Sequence, residues 1–469
     1  MDDETPIRHI DFDSDWLYNG ESRLDGFYYT NEGVNTRINI KEKELKTIPL
    51  RKLTKYIFYP TRFKRIYLDN EKNSIRFISS SDMLRYEVEN PKRLSISETK
   101  NLESLKFKRG WILVSRSGTV GNTSYVYENF ECDTGSEHII RIIPREGYKY
   151  SGYIYAYLNS KVGMNLLKSN TFGSVVDEIE TDYLEELPII LLNEKEQKKI
   201  HEKIIQVFQL RKKSNELILE GLYALHKKLN LPFLKKETNY LFNSSTKSWE
   251  VESVNDWFRL DGGFYNTESS KAVSIIRKNQ NKHWIKQINN LSIKVFNPPR
   301  SSRIYVNEAN GIPYYSGTSL SQFSNYSIKY LAKVHKQLEG VRVRKNWILT
   351  TRVGTIGLIY IVDELKDNCC VSDNILRLIP SDKIIPEYLY LFLRSEYGKI
   401  QLSQIKTGSV QDYIPEEYIY DIWLLAPDMN VQLELGKYVK DAMELRIKAT
   451  LIENKCREIF ENLVFTPAI

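Results

Sequence analysis

Four blocks of sequence occur twice in this chain of 469 residues, in the same order and about 236 positions apart. The longest block, Trp111–Gly121 (WILVSRSGTVG), returns as Trp347–Gly357 (WILTTRVGTIG). The other three blocks pair Arg23–Gly26 with Arg259–Gly262, Pro60–Tyr67 with Pro298–Tyr305, and Gly173–Asp177 with Gly408–Asp412. This period is far longer than that of solenoid repeats, so each copy must fold around its own core. The sequence therefore predicts a duplicated domain that presents two similar surfaces.

Composition and charge are those of an ordinary globular protein. The chain is 41% hydrophobic and 27% charged, and no run approaches the roughly 18 apolar residues of a membrane span. Its acidic start, MDDETP, does not resemble a signal peptide. The four cysteines and six histidines lack metal-ligand or disulfide spacing, which fits a reducing cytoplasm and predicts no metal site. The net charge of +7 is compatible with a polyanionic partner without identifying one.

Each copy divides into a long mixed segment and a terminal helix. The mixed segments, 1–193 and 249–428, contain short aromatic and β-branched runs separated by glycine and proline. Such runs are typical of antiparallel strands joined by turns. One short helical stretch is predicted in each segment, at Tyr153–Lys168 and at Tyr388–Ile405. The fold class of each domain is therefore α+β.

Apolar periodicity predicts the two terminal helices. In the second copy, one heptad position is filled by Leu435, Ala442, Ala449, Cys456 and Leu463, and the other by Tyr438, Leu445, Ile452 and Ile459. This pattern predicts a coiled-coil helix over 429–469, and a broader stripe predicts a helix over 194–230. The segment 231–248 is the predicted connector. A lone helix of this kind could pack on its own domain, but for two long helices, one per copy, we predict that they pair with each other as an antiparallel coiled coil. Such a pair would form a rod of roughly 50 Å with one mixed domain at each end.

The repeated turn is the first candidate for contact with nucleic acid. It contains Arg116, Gly118, Thr119 and Gly121 in the first copy and Arg352, Gly354, Thr355 and Gly357 in the second. Two glycines could bring the backbone close to a phosphate, while the arginine reaches a phosphate oxygen or a base edge. A plain β-turn whose glycines only permit positive φ explains the same pattern. The sequence is neither G-x-G-x-x-G nor a P-loop, so it does not indicate nucleotide binding.

A basic, proline-marked loop is the second candidate. Its basic residues are Arg62, Lys64 and Arg65 in the first copy and Arg300 and Arg303 in the second. Flanking aromatic residues suit contact with phosphates and base edges, although a solvated loop would look the same. Polar residues elsewhere in the matched segments complete the predicted DNA-binding set: Ser79, Ser81, Lys168, Thr171, Ser316, Thr318, Lys406 and Thr407. Ordinary turn chemistry could account for the serines.

No catalytic constellation recurs in both copies. The sequence Asn297-Pro298-Pro299-Arg300 is similar to the N-P-P-aromatic loop of adenine methyltransferases, but it lacks the aromatic residue and no glycine-rich cofactor loop precedes it. Ser-His-Asp arrangements, paired carboxylates and acidic-lysine clusters are not duplicated, and His138 is matched by Asn374. Glycine, arginine and hydroxyl residues are the duplicated features, and they bind rather than catalyse. We therefore predict a non-catalytic binding protein, with a protein-interaction adaptor that never touches DNA left open.

The ordered motifs resemble those of the specificity (S) subunits of Type I restriction–modification systems. That family carries an Arg-Leu-Asp opening, a Pro-x-Arg-Phe-Lys-Arg-Ile-Tyr-like stretch, a polar serine-rich segment, a Ser-Arg-x-Gly-Thr-Val-Gly turn and a helix begun by Glu-Gln. In the first copy these motifs are Arg23–Gly26, Pro60–Tyr67, Ser79–Asp82, Ser115–Gly121 and Glu196-Gln197. In the second copy they are Arg259–Gly262, Pro298–Tyr305, Ser316–Ser319, Thr351–Gly357 and Val431-Gln432. The second copy departs at Val431 and at Ser301-Ser302, which weakens the transfer of contacts there.

The resemblance implies a subunit that recognises double-stranded DNA and has no catalysis or cofactor of its own. Segments 1–193 and 249–428 would be target-recognition domains, each reading half of a bipartite, asymmetric site. The helices would set the spacing and bind two modification (methyltransferase) subunits that hold S-adenosylmethionine, with restriction subunits joining a larger complex. The protein would be prokaryotic and cytoplasmic. An S-like subunit of another methylation-linked phage-defence complex is the alternative.

Overall fold

The computed structural model describes residues 32–88, 91–118, 120–169, 178–234, 267–300, 302–324, 328–334, 338–408 and 411–466. The chain divides into two compact units: unit 1 comprises Met1–Lys212 and Lys448–Ile469, and unit 2 comprises Lys213–Ile447. Each unit therefore contains one mixed segment and part of both terminal helices. Several predicted features lie outside the described residues: Arg23–Gly26, Thr119, Thr171, Gly173–Asp177, Arg259–Gly262 and most of the connector.

Unit 1 is an α+β unit whose described strands form three sheets. Its elements are α1 (Glu32–Glu42), β1 (Thr47–Pro49), β2 (Thr54–Phe58), β3 (Ser74–Ile78), β4 (Lys92–Ser95), α2 (Leu102–Leu105), β5 (Ile112–Ser115), β6 (Thr123–Tyr125), β7 (Thr134–Gly135), β8 (Ile139–Pro144), α3 (Ser151–Leu158), α4 (Lys161–Lys168), α5 (Thr181–Glu185), β9 (Pro188–Ile190) and α6 (Glu194–Lys228). The central sheet has the order β2-β8-β5-β6, and the other two are β4-β3-β7 and β1-β9. All described pairings are antiparallel except that of β3 with β7.

Unit 2 repeats this topology with one additional strand, β12. Its elements are α7 (Thr267–Arg277), β10 (Ile285–Gln287), β11 (Lys294–Phe296), β12 (Tyr305–Val306), β13 (Gly311–Tyr315), α8 (Gly317–Ser321), β14 (Lys329–Ala332), α9 (Leu338–Val341), β15 (Ile348–Thr351), β16 (Ile359–Ile361), β17 (Cys370–Val371), β18 (Ile375–Ile379), α10 (Pro386–Arg394), α11 (Glu396–Gln404), α12 (Glu416–Ile419), β19 (Trp423–Leu425) and α13 (Met429–Phe465). The sheets are β11-β18-β15-β16, β12-β14-β13-β17 and β10-β19. Strand β12 has a single bridge, Tyr67 to Leu94, as its counterpart in unit 1.

The apolar blocks found in the sequence form the centre of each unit. Strand β5 is buried along its whole length because it lies between β8 and β6, and β15 occupies the same place in unit 2. Against these sheets pack α3 and α10, whose buried tyrosines anchor the last strand of each unit. The Tyr153 hydroxyl donates to the carbonyl of Ile190, and that of Tyr388 donates to the carbonyl of Leu425. The prediction of two similar α+β units is confirmed.

The prediction of one helical stretch in each mixed segment is wrong, because the chain breaks at a serine and starts a second helix. Ser160 caps α4 by accepting from the N–H of Gly163, and Ser395 caps α11 by accepting from that of Gly398. A Cβ on Gly163 would lie 2.2 Å from a backbone oxygen of α3, and one on Gly398 would lie 2.4 Å from a backbone oxygen of α10. The Ser-x-x-Gly pair therefore permits the tight corner between the two short helices.

The two long helices lie close to their predicted bounds and pair antiparallel. In unit 2, contacts run from Ser214 with Arg446 to Lys228 with Glu434, so residue numbers rise on α6 as they fall on α13. In unit 1, Arg211 of α6 binds Glu453 of α13. Neither these helices nor any other in the described part of the chain is long and apolar enough to cross a membrane.

The buried seam of α13 differs in part from the predicted heptad. Leu435, Ala442, Ala449 and Cys456 are buried as expected, but Ile459 is 36% exposed and the next residue, Phe460, is fully buried. Phe460 packs edge-on against the rings of Tyr153 and Tyr157, at centroid distances of 5.3 and 5.2 Å. The seam shifts because α13 packs on the mixed segment as well as on α6.

Candidate nucleic-acid interface

Arg65, on the loop after β2, is held by a carboxylate and an aromatic ring. Its guanidinium forms an ion pair with Glu137, which lies on the loop between β7 and β8. The guanidinium carbon also lies 5.1 Å from the ring centroid of Phe77 on β3 and 5.6 Å from that of Phe63. These contacts fix the direction of a long side chain that would otherwise move freely. We call Arg65, Glu137 and Phe77 the Arg65 cluster.

Unit 2 builds the same arrangement from matched positions. Arg303 forms an ion pair with Asp373, on the loop between β17 and β18, and its guanidinium carbon lies 5.5 Å from the ring centroid of Tyr314 on β13. Phe77 and Tyr314 are each the fourth residue of their strand. We call Arg303, Asp373 and Tyr314 the Arg303 cluster. A guanidinium, an acid and a ring therefore recur together, although the individual side chains differ.

A buried arginine braces the loop that carries each acid. Arg141 donates to the carbonyls of Gly135, Ser136 and Ile139, and is fully buried. Arg377 in unit 2 donates to carbonyls at matched positions in its own loop: Val371, Ser372 and Ile375. Burial lowers the pKa of Arg141 to about 9 and that of Arg377 to about 10, which still leaves both side chains charged at neutral pH. Each loop is thus held by the guanidinium of one buried arginine, which hydrogen-bonds to its carbonyls.

Glu137 is the electrostatic centre of the cluster in unit 1. Burial acts to raise the pKa of its carboxyl, but its own backbone N–H and the Arg65 guanidinium outweigh burial, so the pKa is lowered. The Nε of Arg62 lies 3.7 Å from one of its oxygens, and Nε2 of His138 lies at the same distance. The hydroxyl of Ser117 in turn lies 2.6 Å from Nδ1 of His138. The acid is ionised at neutral pH and lies beside both Arg65 and His138, whose ring contacts Ser117 of the repeated turn.

The remaining basic residues of the loop are far more exposed. The side chain of Arg62 is 85% exposed, compared with 29% for Arg65. Lys64 and Arg300 are also exposed. The side chain of Arg303, the counterpart of Arg65, is 37% exposed. Each loop therefore combines one arginine held by an acid and a ring with at least one exposed cation.

The repeated turn has the predicted backbone but uses its arginine internally. Gly118, Gly121, Gly354 and Gly357 have φ between 78° and 82°, which explains the glycines. Arg116 forms ion pairs with Glu178 and Glu180, both at 2.7 Å, and lies 4.1 Å from the ring centroid of Tyr59. Arg352 donates to the carbonyl of Ile414 and lies 5.2 Å from the ring centroid of Tyr413. In both units this arginine holds a later segment of the chain, while Thr355 is exposed.

Ser79 and Ser316 bind residues three positions further along the chain, and the other polar candidates lie in or next to short helices. Ser79 binds Asp82, and Ser316 shares a capping box with Ser319. Lys168 is exposed in the last turn of α4, and Lys406 forms an ion pair with Asp412 at 2.8 Å. Ser81 and Thr318 are exposed, and Thr407 forms an isolated β-bridge with Tyr413. The turn-chemistry interpretation thus accounts for Ser79 and Ser316.

Sequence reasoning missed the acids and the buried arginines. Their signal was present: Ser136-Glu137-His138-Ile139-Ile140-Arg141 is matched by Ser372-Asp373-Asn374-Ile375-Leu376-Arg377. An arginine in an otherwise apolar strand is unusual. Arg141 and Arg377 are separated by the same number of positions as the residues of the longest repeated block, which indicates that this arginine belongs to the duplicated structure. The described residues contain no group of three or more His, Cys, Asp or Glu placed to hold a metal ion. The arrangement offers oriented and exposed cations, which is the chemistry of anion and base-edge binding.

Comparison with known proteins identifies a family with two matching regions. A family model described as "Type I restriction modification DNA specificity domain" matches residues 43–220 and 285–454, nearly three quarters of the chain. The two regions coincide with the two copies of the repeat. No curated protein matches the chain significantly.

Three solved structures are similar at low sequence identity. A structure described as "Structural basis underlying complex assembly and conformational transition of the type I R-M system" is 11% identical, with 89% of this chain and 96% of that chain covered and a TM-score of 0.30. The Type I restriction–modification S subunit from M. genitalium is 13% identical, with 90% and 96% covered and a TM-score of 0.34. The HsdS subunit from Thermoanaerobacter tengcongensis is 12% identical, with 89% and 95% covered and a TM-score of 0.28.

Proposed function

The chain belongs to the family of Type I restriction–modification DNA specificity domains, and from that premise we propose that it is a specificity subunit that recognises a bipartite, asymmetric DNA site. Each unit would read one half-site on double-stranded DNA. The observation that carries this proposal is the recurrence of the Arg65 and Arg303 clusters at matched places in two units of one topology. Two similar basic surfaces in one chain suit two DNA segments.

The two surfaces differ in the side chains that surround the loop arginine and its acid. Phe63-Lys64 in the first loop is matched by Ser301-Ser302 in the second, and His138 beside the acid is matched by Asn374. Because base choice depends on the side chains presented in the groove, these differences support two different half-sites. The proposed target is therefore not a palindrome.

The proposed role is non-catalytic. Among the residues that the structure describes, the repeated arginines and acids form ion pairs and backbone contacts. The contact of Ser117 with His138 in unit 1 is not repeated, because Val353 and Asn374 stand at the matched positions. Methyl transfer would belong to two modification subunits that bind S-adenosylmethionine, and DNA cleavage to restriction subunits in a larger complex. This chain would direct both to the DNA site.

Methylome sequencing tests the proposal directly. The full chain is co-expressed with the modification subunit encoded beside it, in a host that lacks other DNA methylation. We expect one bipartite motif with two different half-sites and a spacer of fixed length, and no methylation when either protein is expressed alone. A continuous or palindromic motif would overturn the bipartite proposal. Methyl transfer or cleavage by the purified chain would overturn its non-catalytic role.

A further inference from the structure

We propose that Arg65 and Arg303 each read a base edge in their half-site, with guanine as the base, whereas the exposed Arg62, Lys64 and Arg300 contact phosphates. This inference rests on the proposed function and assigns separate tasks to basic residues that share one loop. It follows from the contrast between one oriented arginine and its exposed neighbours in each unit.

Orientation separates the two tasks. Reading a base requires donors held in a fixed direction, because a wrong base is rejected only when the donors cannot turn away. Arg65 has this fixation from Glu137 and Phe77, and Arg303 has it from Asp373 and Tyr314. Their side chains nevertheless keep 29% and 37% of their surface exposed, so part of each guanidinium can reach a ligand.

Local charge leads to the same assignment. An arginine paired with a carboxylate carries little net charge, so a phosphate gains little by approaching it. A base edge is neutral and gains from the remaining N–H donors. Arg62 makes only a long contact of 3.7 Å with the same acid and its side chain is 85% exposed, so it can turn towards the DNA backbone.

The donor geometry selects guanine. The guanidinium has five N–H donors in a planar fork. In Arg65 the Nε is buried and one Nη binds Glu137, so the remaining Nη donors are the ones that can face a base. In the major groove, guanine presents two adjacent acceptors, O6 and N7, whereas adenine presents one acceptor and one donor. A fork of donors therefore satisfies guanine with two hydrogen bonds and leaves a clash of donors against adenine.

The acid that holds each loop arginine lies on a loop that is itself held by a buried arginine. Arg141 and Arg377 hold the loops that carry Glu137 and Asp373 through three carbonyl contacts each. The arginine proposed to read the base is thus positioned by an acid on a loop that a buried arginine holds. A side chain that reads a base must be held in one direction by its neighbours, whereas a contact with a phosphate does not need such support.

The test compares Arg65→Lys with Arg62→Ala in the full complex, using methylome sequencing together with DNA binding at several salt concentrations. Arg65→Lys keeps the charge but loses the planar fork. We expect one position of one half-site to lose its guanine preference by about 5- to 150-fold, the range of a bidentate contact, with the other half-site unchanged. Arg62→Ala should leave the motif intact and reduce the slope of log affinity against log salt by about one.

Two further variants keep the result interpretable if Arg65→Lys does not fold. Arg303→Lys should relax one position in the other half-site. Glu137→Gln, which preserves side-chain size but frees Arg65, should relax the same position as Arg65→Lys. An unchanged motif in folded Arg65→Lys and Arg303→Lys would overturn the inference, as would equal weakening of both half-sites by either variant. If the wild-type complex shows no bipartite motif, the proposed function fails instead.

Discussion

The buried arginines Arg141 and Arg377 show how much of the candidate site depends on residues that no ligand could touch. Each donates to three carbonyls of the loop and of the strand ends that flank it, between the short parallel strand and the next long strand. An unsatisfied buried carbonyl costs roughly 1–3 kcal/mol. The position of Glu137 or Asp373, and hence of the loop arginine, therefore depends on a side chain in the core.

We predict that Arg141→Met loosens the loop of unit 1 alone. The substitution keeps an apolar, flexible chain in the strand but leaves the carbonyls of Gly135, Ser136 and Ile139 without the guanidinium, so the unit should lose about 3 kcal/mol of stability. Hydrogen exchange should show faster exchange around residues 135–139. Arg377→Met is the matched variant, and it should affect residues 371–375 instead. Unchanged exchange in both variants would show that the loops are held by other contacts.

At the scale of elements, a buried ion pair joins α6 and α13. Arg211 of α6 donates to both oxygens of Glu453 of α13, at 3.2 and 2.8 Å, and the hydroxyl of Tyr155 donates to the same acid at 2.7 Å. Burial acts to raise the pKa of Glu453, but Arg211 outweighs burial and the pKa is lowered. The matched arginine in unit 2, Arg446, binds the neutral partners Ser214 and Asn215.

A double-mutant cycle should reveal strong coupling in this pair. Arg211→Met or Glu453→Leu alone leaves a buried charge without its partner and should cost about 3–5 kcal/mol in urea unfolding. The double variant removes both charges and should cost much less than the sum. The exposed pair Lys437–Asp441 is the control, and its single variants should barely change the unfolding midpoint. Additive losses at Arg211 and Glu453 would show that packing, rather than charge, dominates the contact.

The elements also show what a single sequence can predict. Duplication and periodicity predicted two α+β units and helices at 194–230 and 429–469, and the structure has Glu194–Lys228 and Met429–Phe465. Apolar periodicity was sufficient to predict the bounds of these helices because those bounds depend on residues that are close in sequence. The shift of the α13 seam to Phe460 and the partner of Arg65 could not be predicted, since both depend on distant contacts. Glu137 lies 72 positions from Arg65, and nothing in the sequence pairs them.

At the scale of the whole molecule, duplication gives two units of similar topology, and the side chains around their loop arginines differ. The scaffold of each unit is kept: the sheet orders, the Ser-x-x-Gly corner and the buried arginine recur. The side chains near the loop arginine vary, as at Phe77 and Tyr314 or at His138 and Asn374. A chain of this kind can change one proposed half-site without disturbing the other, because each cluster is built within a single unit.

The two long helices are shared between the units, since the division falls within both of them, after Lys212 and after Ile447. If they set the spacing of the half-sites, inserting about four residues at both points should add roughly 6 Å of helix, which is one to two base pairs at 3.4 Å per pair. Methylome sequencing should then show a longer spacer between unchanged half-sites. The same insertion in one helix alone should break the pairing register and abolish methylation. If the matched insertion leaves the spacer unchanged or alters a half-site, the spacing is set outside the helices.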